Sequence, residues 1–350
     1  MMQKNKPILK TLAGEKTDIV PFWFMRQAGR YLPEYRALRA EAGGFLNMVY
    51  NPKNASEITL QPIRRFQMDA AILFSDILVI PQALGQKLEF LAGEGPKLEA
   101  LNVDSDLGFL NPDKIDDVLN PVYDTVTMTC DKLKKEGFDQ TALIGFAGSP
   151  WTVATYMVEG GGSKTYEKVK SWAYGSPEKF QQLIDILIVS TNHYLEKQIK
   201  AGAEIIQLFD SWSGVLDQVN FEKWVIKPTA QIALNLKSKY PDIPIIGFPR
   251  GAGTMSLDYA QKTGIRAIGL DFTMPCDWAA KNLQSILPVQ GNLDPVMLLT
   301  GGKALDAAVY HILDSFPDKA FIFNLGHGVI KETPPEHVGQ VVEIIKSYKR

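Results

Sequence analysis

Four arginines, Arg26, Arg30, Arg36 and Arg39, fall within fourteen residues, with Glu34 the one acid among them. A guanidinium offers a planar fork of donors that fits a carboxylate or phosphate, and it stays charged when water is removed. Arg26 and Arg30 have the i, i+4 spacing of a solvated helix face, but Gly29 lies between them and Pro33 soon after, and neither suits a regular helix interior. The window therefore reads as a loop clamp for a polyanionic ligand. Other polar groups stand just beyond short apolar runs: Gln27, Ser75 and Asp76, Gly148 and Ser149, Asp210 and Ser211, Arg250, Asp271, Asn292 and His327. Asp and Ser after a strand are also ordinary helix caps and turn formers, so each taken singly has a structural explanation. His327 stands apart, because Gly326 and Gly328 let backbone and ring approach a ligand closely.

The elements that must position these groups are eight apolar or β-branched runs: Ile19–Met25, Ala70–Phe74, Ala142–Phe146, Ile205–Phe209, Ile243–Phe248, Ala267–Leu270, Ile286–Val289 and Phe321–Phe323. They stop at Gly, Pro, Ser or Asp, as buried parallel strands do. Helical patterns such as Phe180–Ala201 and Asn220–Lys239 lie between them, with Ser176 placed to cap the first and Gly202 to stop it. Alternating strands and helices predict an α/β fold, and eight units predict a (β/α)₈ TIM barrel with loop insertions, whose active site lies at the C-terminal strand ends. A doubly wound open sheet is the alternative. No linker or repeat splits the chain, so residues 1–350 read as a single domain, with 1–16 as a flexible N-terminal arm and Gly85–Pro96 as a loop excursion.

Composition sets limits on function. With 37 basic against 39 acidic residues the net charge is −2, so no global field attracts nucleic acid. The two cysteines, Cys130 and Cys276, build no disulfide framework, which points to a reducing compartment. Met1–Lys16 holds no apolar run of signal-peptide length, and the apolar stretch Ala70–Ile80 is interrupted by Ser75 and Asp76, so secretion and membrane insertion are not expected. Neither Gly160–Thr165 nor Gly247–Gly253 matches a phosphate or dinucleotide fingerprint, and both read as mobile loops at the barrel mouth. The four histidines show no zinc spacing, so no metal is expected; His193 and His311 fall on helical stretches and read as structural.

Met25-Arg-Gln-Ala-Gly-Arg-Tyr-Leu-Pro-Glu-Tyr-Arg36 resembles the N-terminal signature of the uroporphyrinogen decarboxylase family. Leu60–Phe66, Phe74–Gln82, Ser149–Gly160, Gln207–Trp212 and Asn324–Gly328 resemble its later blocks in order. The resemblance implies a (β/α)₈ barrel, a cytoplasmic homodimer, and an enzyme of tetrapyrrole (haem) biosynthesis. It implies removal of carbon dioxide from the four acetates of uroporphyrinogen III to give coproporphyrinogen III, with no cofactor. A substrate with eight carboxylates fits a local arginine cluster on a near-neutral chain.

By the same resemblance, Asp76 is the carboxylate that faces the pyrrole N–H groups and stabilises a cationic ring. Arg26 and Arg30 bind substrate carboxylates, with Arg39 an outer member of that set. Tyr156, Ser211 and His327 surround the reacting acetate and the propionates, and Gln27 and Phe209 complete the wall. Asp76, Arg26 and Tyr156 form the expected catalytic set. Arg26 positions the substrate; a guanidinium with pKa above 12 is a poor acid, so a water polarised by Arg26 or a substrate carboxyl delivers protons more easily. Asp210 stands where some family members carry Glu, which keeps the carboxylate. Phe209 and Trp151 also fit plain core packing. A corrinoid-dependent or thiol methyltransferase would need a His-x-Cys zinc pair, whereas His327 is followed by Gly328 and Val329. A non-catalytic tetrapyrrole binder would keep the arginines but have little use for Asp76 and Tyr156 together.

Overall fold

A computed structural model describes residues 5–91 and 95–350. These form the strands β1 (Ala70–Ile72), β2 (Leu88–Leu91), β3 (Gly95–Leu98), β4 (Ala142–Gly148), β5 (Ile205–Asp210), β6 (Ile245–Pro249), β7 (Ala267–Gly269), β8 (Val289–Leu293) and β9 (Phe321–Leu325). β2 and β3 pair as an antiparallel hairpin, and the other seven form one parallel sheet in chain order. Its strands are almost wholly buried, as expected of a parallel sheet covered on both faces. Helices such as Pro52–Phe66, Ile115–Lys135, Pro177–Ala201 and Gly302–Ser315 supply the outer layer.

The sheet curls. Gln290 in β8 donates through Nε2 to Gln207 Oε1 in β5 at 3.3 Å, although β6 and β7 separate the two strands in the sheet. Gln290 Oε1 also accepts from Trp23 Nε1 at 2.8 Å. Such buried amides persist because their partners face them across the interior.

Two predicted strands differ. Over Ile19–Met25 there is a single parallel bridge, Phe22 to Phe323, rather than a strand. Pro21 has no N–H to donate, and Phe22 N turns to the Asp69 carboxylate at 2.9 Å. The segment nevertheless joins both edges of the sheet. Phe323 N donates to Pro21 O at 2.9 Å, and Asp69 N, just before β1, donates to Phe22 O at 3.0 Å. The run predicted at Ile286–Val289 is displaced: Ile286 is exposed, and β8 begins at Val289. Apolarity misplaces it because Gln290 and Asn292 are interior polar residues whose amides are paired.

The excursion expected at Gly85–Pro96 contains most of the β2–β3 hairpin, tied down by Gln86 Nε2 donating to Glu99 O and Met157 O; residues 92–94 lie outside the described residues. Within the stretch expected as an arm, Pro7–Leu12 is a helix that buries Ile8 and Leu12, and Lys6 bonds Glu204 and Thr141 O; residues 1–4 lie outside the described residues. Ser176 stands at its predicted cap position without a side-chain cap bond, and Gly202, at φ 122°, ends that helix. Among the described residues no helix is long and apolar enough to cross a membrane.

Candidate active site

Arg26 follows the Phe22 bridge and adopts a left-handed φ of 60°, a conformation that costs a non-glycine residue about 1–3 kcal/mol. It is held by its neighbours. Met25 N donates to Asn324 Oδ1 at 3.0 Å, and Met25 O accepts from Val329 N at 2.9 Å. These bonds bring the loop after β9 against Arg26, whose side chain runs over Gly328.

The arginine cluster divides by role. Arg36 donates to the carbonyls of Arg30 and Tyr31, so it braces the loop rather than reaching out. Arg39 contacts the Tyr35 hydroxyl, and the charges of Arg39 and Arg30 both reach that phenol. Arg64 and Arg65 pair with Glu57, Glu136 and Glu34. Among the described residues Arg26, Arg30, Arg39 and Arg250 pair with no carboxylate.

Asp76 lies in the turn after β1, with Oδ1 accepting from Leu78 N at 2.9 Å. Burial pushes its carboxyl up to about 6, while that N–H and the Arg26 charge pull the other way. Tyr156, on the helix Pro150–Glu159, is also raised, first by burial and then by the Asp76 charge; the Trp212 indole N–H and Arg26 oppose the shift. Its ring lies 5.9 Å from the Trp212 ring, which in turn lies 5.4 Å from Tyr166. Arg26, Asp76 and Tyr156 are therefore within electrostatic reach of one another.

His327 is half-buried beside them. Burial and the charges of Arg26 and Arg250 lower its pKa to about 3, against a smaller opposing effect of Asp271. Gly328 N donates to its Nδ1 at 2.7 Å, which leaves the proton of the neutral ring on Nε2. Phe209 is partly exposed at the end of β5, edge-on to Phe146 and Phe248 with centroids 5.6 Å and 6.1 Å away. Ser211 is half-buried immediately after β5. Beneath it the fully buried Asp210 accepts from Thr152 Oγ1, and Thr152 Oγ1 accepts from Trp212 N at 3.0 Å. Trp151, expected as core, is fully buried and donates to Trp212 O at 3.0 Å.

Gln27, expected in the wall of the site, is tied to the protein through its amide. It is fully buried; Oε1 accepts from Phe24 N and Nε2 donates to Ala70 O, each at 3.0 Å. It cross-links the Arg26 turn to β1, with one bond at each end of its amide. The loop Gly247–Gly253, expected to be mobile, is pinned by Arg250 N donating to Asp210 O and Gly251 N donating to Asp271. Arg250 itself is a guanidinium at the site that the arginine-cluster argument misses. The signal available for it was an arginine standing directly after a strand. Among the described residues no three His, Cys, Asp or Glu side chains gather as a metal site.

The Arg26 guanidinium within reach of the Asp76 carboxylate and the Tyr156 phenol, with Asp76 in the turn after β1 and Arg250 directly after β6, marks an α/β enzyme with a site suited to an anion. The family model described as "Uroporphyrinogen decarboxylase (URO-D)" matches residues 3–348. The chain is 50% identical to a uroporphyrinogen decarboxylase of Rhodospirillum rubrum over 343 residues, 98% of this chain and 97% of the relative. It is 52% identical to that of Sphingopyxis alaskensis over 348 residues, 99% of each. The chain belongs to the uroporphyrinogen decarboxylase family. Among solved structures, a methyltransferase from Methanosarcina mazei superposes with a TM-score of 0.79 at 18% identity, covering 96% of each chain, a likeness of fold alone.

Proposed function

We propose that this chain removes carbon dioxide from the four acetates of uroporphyrinogen III to give coproporphyrinogen III, in haem biosynthesis and without a cofactor. The observation that carries the reading is the Asp76 carboxyl, ionisable near pH 6 and next to the Arg26 charge, in a chain about half identical to named decarboxylases over nearly its whole length.

Loss of carbon dioxide leaves an electron pair on a methylene, and the pyrrole is its sink. A proton added to a ring carbon beside the nitrogen makes that ring iminium-like. The carboxylate's C–C bond then breaks and its electrons neutralise the ring. A proton adds to the exocyclic methylene to form the methyl, and loss of the ring proton restores the pyrrole, so each cycle consumes one proton. Asp76 accepts from the pyrrole N–H groups and stabilises the cation. Arg26 holds the reacting acetate and orients the water or substrate carboxyl that delivers the proton, while Arg30 and Arg39 bind outer carboxylates. Tyr156, Ser211 and the His327 Nε2–H offer hydrogen bonds to acetate and propionates, and Phe209 lines the apolar face.

The same reading makes residues 1–350 one domain closed as a (β/α)₈ barrel. The hydrogen bonds from the Pro21–Trp23 segment to both edges of the sheet support closure. A cytoplasmic homodimer follows from the family resemblance, and light scattering on the purified chain tests the dimer. The activity is tested by anaerobic incubation with uroporphyrinogen III, oxidation and mass analysis. Intermediates losing one carboxyl at a time are expected, and unchanged substrate from folded protein refutes the reading.

A further inference from the structure

Arg250 follows β6 and has no role in the mechanism above. Its side chain is half-buried, and among the described residues it pairs with no carboxylate. The guanidinium carbon lies 6.0 Å from the centre of the Trp212 ring, a cation–π arrangement. Its charge reaches His327 and Tyr166, whereas Asp76 feels Arg26. His327 thus lies within reach of two guanidinium charges, Arg26 and Arg250.

The backbone that carries Arg250 is fixed. Arg250 N donates to Asp210 O at 3.1 Å, and Arg250 O accepts from Gly214 N and from Ser213 Oγ, each at 3.0 Å. The loops after β5 and β6 meet so closely that a Cβ on Gly214 would lie 2.3 Å from the Gly251 carbonyl carbon. A half-buried guanidinium within cation–π range of Trp212, on fixed backbone and with no carboxylate partner among the described residues, is preorganised for an anion from outside.

We propose that Arg250, within cation–π range of Trp212, is a second carboxylate clamp of the active site and holds a propionate of the porphyrinogen that does not react. The proposal rests on the decarboxylase reading. Propionate is favoured over acetate on chemical grounds. The four acetates disappear one by one, so a fixed clamp serves every cycle only if it grips a group that survives all of them.

The test compares the native chain with Arg250→Gln and Arg250→Lys, using uroporphyrinogen III as substrate and coproporphyrinogen III as competitive inhibitor. For Arg250→Gln, KM rises about tenfold or more while kcat stays within about threefold, the pattern of lost uniform binding. The inhibition constant of coproporphyrinogen III, which carries propionates and no acetates, rises by the same factor. Arg250→Lys falls between, because it keeps the charge and loses the fork. Thermal unfolding checks each variant, and if Arg250→Gln does not fold, Arg250→Lys carries the same readings. An unchanged KM overturns the clamp, as does an equal fall in kcat and kcat/KM. A raised KM with an unchanged inhibition constant overturns the propionate assignment. No turnover by the native chain would instead overturn the decarboxylase reading beneath it.

Discussion

Gly328 is the seat of Arg26: a Cβ on Gly328 would lie 2.3 Å from Arg26 Cδ and 2.6 Å from Cγ. The contact joins residues far apart in the sequence, and the bond from Val329 N to Met25 O at 2.9 Å holds them in register. The left-handed backbone of Arg26 and the bare Cα of Gly328 together decide where the guanidinium points.

Gly328 does not adopt a left-handed φ, so Gly328→Ala tests the contact rather than the backbone. The added methyl displaces the Arg26 side chain. Misplacing a positioning group by about 1 Å costs on the order of 100-fold in rate, and kcat/KM for uroporphyrinogen III is expected to fall by about that much while thermal unfolding changes little. A variant within about threefold of native activity would show that Arg26 acts without its seat.

Asp76 sets the acid limb of the pH profile. Its folded pKa is about 6, and the proposed mechanism uses the ionised form, so kcat/KM falls as pH drops through about 6, tenfold per unit below it. Asp76→Asn keeps the shape and the acceptor at Oδ1 but removes the charge. Its turnover is expected to fall about 100- to 1,000-fold, the scale of a lost preorganised electrostatic partner, with a much smaller change in substrate affinity. Near-native turnover by Asp76→Asn would refute cation stabilisation at this residue.

His327 gives no inflection of its own. With a pKa near 3 it stays neutral across the working range, with its proton on Nε2 as a donor. His327→Gln therefore lowers kcat/KM by about tenfold, the worth of a hydrogen bond or so, and leaves the acid limb near pH 6. If the limb moved or vanished in His327→Gln, the titrating group would be the histidine and not Asp76.

How much of this was legible in the sequence depends on where each residue's partners lie. The Arg26–Arg39 cluster was visible, since its signal is local. Its division was not, because only the fold shows Arg36 bound to the Arg30 and Tyr31 carbonyls. The bracing role of Gln27 was hidden too, because its partners, the Ala70 carbonyl and the Phe24 N–H, are placed around its amide only by the fold. β8 is misplaced by apolarity because Gln290 and Asn292 are buried with distant partners. Arg250 was legible as a residue after a strand, but its glycine-rich surroundings suggested a mobile loop. The close approach of Gly214 to Gly251 makes those glycines a packing device.

Asp210 links the site to stability. It is fully buried, its Oδ1 accepts from Thr152, and its Oδ2 has no partner among the described residues. Burial pushes its pKa up to about 7 from an ordinary 3.8, so between those values the folded state keeps a proton that the unfolded state releases. The contribution of Asp210 to stability is therefore full below about pH 4 and is lost as pH rises through 7. Asp210→Asn, neutral at every pH, escapes that loss. The variant is expected to gain on the native chain by a few kcal/mol in unfolding free energy, on the order of the pKa shift, between pH 5 and pH 8. The opposite effect of His327, whose pKa is lowered, is common to both proteins and cancels in the difference. Denaturant unfolding of the two chains at both pH values measures it, and a difference that does not change with pH would mean that Asp210 is not buried as a neutral acid.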